Sequence, residues 1–162
     1  MKTRYLPLLF VLCLAGCVTP LTPIPEGYTG PRAVITDTSS PVSSVKIRFF
    51  QLAKVDGRRV LNSAGATYRA NYGRGFSMDP VVTSREVPAQ KCVLSIAGVT
   101  YVAADILAFT GGNYHVEGEV TATLEAGKVY RVKGELSEAY SAVWLEDADG
   151  RVVSTKVEKG TR

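Results

Sequence analysis

Residues 114–124, YHVEGEVTATL, constrain the fold more than any other part of this chain. Val116, Gly118, Val120, Ala122 and Leu124 occupy every second position, and Glu117, Glu119, Thr121 and Thr123 fill the gaps. Side chains alternate across a β-strand with period two, so a strand gathers the apolar set on one face and an α-helix would scatter it around the axis. Residues 129–136, VYRVKGEL, repeat the pattern, with Tyr130, Val132 and Leu136 against Arg131, Lys133 and Glu135. One apolar and one polar face per strand is the mark of half-buried antiparallel sheet. The link Glu125-Ala126-Gly127-Lys128 is short and carries a glycine, so the two strands are neighbours across a tight corner.

Turn residues mark further strands. Asp56-Gly57 divides two β-rich runs in FFQLAKVDGRRVL, a hairpin signal because both residues tolerate positive φ. Asp149-Gly150 in VWLEDADGRVVSTKV reads the same way, and AVITDT, VVTSREV and KCVLSIAGV add three candidates. The expectation is a mostly β domain, an antiparallel two-sheet sandwich of about nine strands. One stretch interrupts it. Ser63 to Pro80 is small, polar and glycine-bearing, and it reads as a short helix or loop excursion whose helical part ends at Gly73. AADILAF, 103–109, fits either a strand or one helical turn.

The N-terminus has a different logic. Lys2 and Arg4 precede an almost wholly apolar run, Tyr5 to Leu14. Ten helical residues span only about 15 Å, and a bilayer core needs about 30 Å, so the run is too short to cross a membrane and fits the apolar core of a secretory signal. Leu14-Ala15-Gly16-Cys17 follows and resembles the bacterial lipobox. The resemblance implies that residues 1–16 are a signal peptide cut before Cys17. It also implies that the Cys17 thiol carries a diacylglyceryl group, which changes the membrane relation from spanning to anchored. Two or more acyl chains make a stable anchor. Val18 stands where the related inner-membrane retention signal has Asp, which favours the outer membrane.

Residues 17–32 carry Pro20, Pro23, Pro25 and Pro31 among small residues. Such a segment tends to polyproline II, and the expectation is a tether holding the 33–162 sandwich off the bilayer. An irregular arm lying on the domain is the alternative. Loss of sixteen residues leaves 146, enough for one well-buried domain. It also leaves 17 basic against 15 acidic residues, a formal charge of +2, too mild to argue for nucleic acid. With Cys13 removed and Cys17 acylated, Cys92 is a lone thiol that shares a strand face with Leu94 and Ile96, a core position.

The run EVTATLEAGKVYRVKGEL with AVWLED is similar to the late strands of immunoglobulin-like and transthyretin-like sandwiches. Such a likeness implies a corner closed by Tyr130. As a whole the chain resembles small outer-membrane lipoproteins with such domains, a resemblance that brings no catalytic residues.

The inventory for chemistry is thin. His115 is the sole histidine, so a histidine-based zinc site is excluded. A Cys92–His115 dyad needs an outward thiol, which the strand parity opposes. Glu146, Asp147 and Asp149 read as turn-forming, solubilising carboxylates before they read as a calcium site. Gly73-x-Gly75 is too short for a phosphate loop. No cofactor and no metal is expected. The remaining candidate is TYRANYGRGF, where Tyr68, Arg69, Tyr72 and Arg74 crowd together. Tyr and Arg give large contact area with a polar handle, as at binding hot spots. In a helix, Tyr68 and Tyr72 share a face, which either caps the sandwich or is presented outward. The functional expectation is a lipid-anchored, periplasm-facing, non-enzymatic binding or assembly module for an envelope protein or glycan. The alternative is a periplasmic enzyme inhibitor or a carboxylate-based envelope enzyme.

Overall fold

The computed structural model describes residues 21–74, 78–104, 109 and 111–160. Ten strands and one helix follow in order: β1 (Arg32–Thr36), β2 (Thr38–Ser43), β3 (Lys46–Val55), β4 (Arg58–Arg59), α1 (Ser63–Asn71), β5 (Ser84–Pro88), β6 (Lys91–Val102), β7 (His115–Thr123), β8 (Val129–Leu136), β9 (Tyr140–Glu146) and β10 (Val157–Gly160). One sheet has the order β10-β9-β8-β1-β5, the other β2-β3-β6-β7 with β4 on β3. The two pack face to face, so the fold is a β-sandwich with one short helix.

Alternation decides the inward set, as the sequence requires. Val116, Val120, Ala122 and Leu124 of the β7 run and Tyr130, Val132 and Leu136 of β8 are buried, and their polar neighbours face out. They meet Phe50, Leu52, Val55, Leu94, Ile96, Val143 and Leu145 in one core. Glycine sets the sheet spacing at one point: a Cβ on Gly134 would meet Phe50 Cδ1 at 2.5 Å and also strike the Ala142 carbonyl. Phe50 therefore uses the space that Gly134 leaves open.

Three expectations change. The sheets are antiparallel except that β1 runs parallel to β8, with Val34 opposite Val129. A parallel pair needs a long crossover, and here all of β2 to β7 lies between the two strands. Second, the two Asp-Gly turns differ. Asp56 and Gly57 both have positive φ, 47° and 78°, and close a tight β3–β4 hairpin. At the other turn Gly150 alone is left-handed, at 80°, and the backbone closes through Gly150 N to Asp147 O at 3.2 Å. Regular pairing with β9 resumes only at Val157.

The third change concerns the 17–32 segment. Its described part is not a free tether throughout. Pro23 is buried, the chain turns at Pro25–Tyr28, and the Tyr28 hydroxyl donates to the Pro31 carbonyl at 2.8 Å. From Pro25 to Pro31 the segment folds back on itself through these contacts. Cys17 and most of AADILAF lie outside the described residues.

Candidate functional site

Helix α1 spans Ser63–Asn71 and ends where the glycine signal placed it, with Gly73 at φ 81°. Ala66 and Thr67 are buried beneath it. The opposite side is open: Tyr68 is 56% exposed and Tyr72 77%, and their rings meet edge to face with centroids 5.8 Å apart. Arg69 is exposed beside them. Arg74 is also exposed and pairs with Asp79 at 2.7 Å. The Tyr68–Tyr72 face is thus presented outward and does not cap the sandwich. A shallow groove of about 260 Å³ runs between Tyr72, Gly73, Tyr101 and Ala103. Tyr68 and Tyr72 line this groove, and Arg69 and Arg74 are exposed on the helix and on the turn after it; Phe76 lies outside the described residues.

What holds this helix in place was not legible beforehand. Asp37 stands where the chain leaves β1 in one sheet and enters β2 in the other, and it is 1% exposed. Its Oδ1 accepts from Leu52 N at 2.9 Å and Arg85 Nη1 at 3.0 Å. Its Oδ2 accepts from Ser63 N at 3.0 Å, Ser63 Oγ at 2.8 Å, Thr83 Oγ1 at 3.0 Å and Arg85 Nη2 at 2.8 Å. Arg85 also donates to the Leu52 carbonyl at 3.2 Å and to the Thr83 hydroxyl. The carboxylate is therefore fully engaged by the protein, which is how a buried charge is made tolerable.

This cluster orients the candidate surface. The first amides of a helix lack intrahelical acceptors. In α1, Ser63 N is taken by Asp37, Ala64 N by Gln51 Oε1 at 2.9 Å and Gly65 N by the N-cap Asn62 Oδ1 at 2.9 Å. At the far end Asn71 holds the returning chain, receiving Asp79 N at 2.8 Å and donating to the Asp79 carbonyl at 2.8 Å. Tyr68 and Tyr72 therefore project from a helix fixed at both ends. One signal in the sequence points to the cluster: Thr83, Arg85 and Val87 share strand parity, which puts Arg85 on the inward face.

The remaining candidates separate. Cys92 is buried in the core, with Sγ 3.7 Å from the Pro88 carbonyl. Burial first, and then the neighbouring Asp56 carboxylate, push its thiol up to about 11. His115 pairs opposite Val99 and Cys92 opposite Ala122, so seven residues of strand, about 23 Å, separate them. No dyad forms. His115 is exposed beside Glu117, at 3.5 Å. Glu146 accepts from Trp144 Nε1 at 2.7 Å. Asp147 accepts from Asp149 N at 3.0 Å and from Arg151 N and Nε, both at 2.9 Å. These contacts, the Arg151 backbone amide first, hold the Asp147 carboxyl below its usual range. Among the described residues no group of three or more metal-ligating side chains converges. No helix among them is long and apolar enough to cross a membrane.

Compared with family models, with curated proteins and with solved structures, the chain gives no match.

Proposed function

We propose that this chain is a lipid-anchored envelope lipoprotein of the outer membrane, facing the periplasm. In this reading its sandwich is a non-enzymatic binding module that presents Tyr68, Arg69, Tyr72 and Arg74 to an envelope protein or glycan. The observation that carries the reading is the pair of large aromatic side chains left exposed on a helix fixed at both ends. Exposed rings on a rigid support lose little freedom on binding, which is what a recognition surface requires. The Tyr130 corner supports the immunoglobulin-like relationship, since its buried hydroxyl accepts from Glu125 N at 3.0 Å. The anchor rests on the lipobox residues Leu14 to Cys17.

A triple variant, Arg69→Ala with Tyr72→Ala and Arg74→Ala, tests the surface. A photoreactive amino acid at position 68 serves as the crosslinking probe in intact cells. The expected result is one dominant adduct in the native background that fades at least tenfold in the triple variant, with the circular dichroism spectrum unchanged. An adduct of equal intensity in a folded triple variant removes these residues from the binding role.

A further inference from the structure

A second groove, of about 220 Å³, lies on the outer face of the β2-β3-β6-β7 sheet, turned away from the core. Gln51 on β3, Ala97 on β6 and Glu117 on β7 are register partners in one row across it. Ala97 is a small floor between two unlike walls.

The wall built by β3, β4 and the start of α1 offers donors. Gln51 is 4% exposed, and its Oε1 accepts from Ala64 N at 2.9 Å. Asn62, also in this wall, accepts from Gly65 N through Oδ1 at 2.9 Å. Helix α1 thus takes both carboxamide oxygens, and Gln51 Nε2 and Asn62 Nδ2 donate to no described residue. A carboxamide that accepts at its oxygen is polarised, which strengthens its N–H donors. Lys54 and Arg59, partners across the hairpin, add two cations whose side chains make no hydrogen bond or ion pair among the described residues. Like charges directly opposite each other repel, and an anion between them relieves that cost.

The β7 wall is acidic. Glu117 lies 3.5 Å from His115, and Glu119, next on the same face, accepts from Ser95 Oγ at 3.3 Å. Neither carboxylate pairs with Lys54 or Arg59. The charges of the two walls balance and are held apart, which suits a ligand charged at both ends better than a plain anion. Two strand spacings, about 10 Å, separate β3 from β7, close to the length of about three extended residues.

We propose that this groove binds a short peptide with free termini, its carboxylate toward Gln51, Lys54, Arg59 and Asn62 and its ammonium toward Glu117. The site is separate from the Tyr68–Tyr72 surface and does not depend on the lipid anchor.

The test titrates trialanine into the isotope-labelled full chain and follows the side-chain amide signals of Gln51 and Asn62 by NMR. The expected result is a saturable shift of both signals in the millimolar range. The N-acetylated and the C-terminally amidated peptides each bind about fivefold more weakly, the loss expected for one exposed ion pair. Lys54→Gln with Arg59→Gln removes the preference for trialanine over the amidated peptide, and Glu117→Gln removes the preference over the acetylated one, with circular dichroism unchanged. No saturable shift at either amide in the folded protein overturns the proposal. Acetate that reproduces the shifts at the same concentrations, or variants that weaken all three peptides equally, overturns it as well.

Discussion

Replacing Asp37 by Ala attacks the junction where the chain changes sheets. The substitution leaves the Arg85 guanidinium, whose side chain is 9% exposed, without its counter-charge. It also strips the acceptor from two backbone amides, Leu52 N and Ser63 N. Removing one member of a buried ion pair costs about 3–5 kcal/mol, because the partner remains desolvated and unpaired. The orphaned amides push toward the upper end of that range. For a folded unit of roughly 130 residues, with an unfolding entropy near 2.1 cal/mol/K per residue, the loss lowers Tm by about 11–18 °C. Total stability for domains of this kind is about 5–15 kcal/mol, so the variant is expected to be marginal but measurable. Thermal and urea unfolding followed by circular dichroism give the number. Arg85→Met closes a double-mutant cycle: with both charges gone the penalty for an unpaired ion vanishes, and the double variant recovers at least half of the single loss. A fall in Tm below about 4 °C for Asp37→Ala, or a double variant no more stable than the single, would refute the argument that this pair locks the junction.

Other consequences follow from single positions. Cys92→Ala is expected to cost about 1 kcal/mol for a small cavity. The folded thiol should resist a water-soluble maleimide at neutral pH, and rapid labelling would contradict its burial. Because the folded pKa is raised to about 11 from 9.0, the folded state holds this proton more tightly than the unfolded chain. Its contribution to stability is therefore complete below pH 9 and declines as pH rises toward 11, and Cys92→Ala should flatten that part of the stability profile. Gly134→Ala forces a methyl group against Phe50 and the Ala142 carbonyl and should cost about 1–3 kcal/mol or more by urea unfolding, an effect absent at the exposed Ala126→Gly. Cys17→Ser should leave the chain uncut and unacylated, and an unmodified peptide beginning elsewhere in the wild type would end the lipoprotein reading.

The sequence by itself determined the elements whose physics is local. Alternation at 116–124 and 130–136 selected strands and their buried faces, since a period of two gathers apolar side chains on one side of a strand only. Gly73 ended the helix because the chain turns there at positive φ, and Asp56-Gly57 closed its hairpin for the same reason. The parity of Cys92 with Leu94 and Ile96 put the thiol in the core. Tertiary structure alone decided whatever depends on partners far along the chain. The parallel β1–β8 pairing joins segments nearly one hundred residues apart, and no local pattern encodes it. Asp37, Ser63, Thr83 and Arg85 are ordinary loop and strand residues until the fold brings them within hydrogen-bonding distance, where desolvation turns them into a single unit. The outward direction of Tyr68 and Tyr72 was equally undecided by spacing. Spacing put both rings on one helix face, and the side of the helix that met the sheet, with Ala66 and Thr67 small enough to lie against it, left that face to solvent.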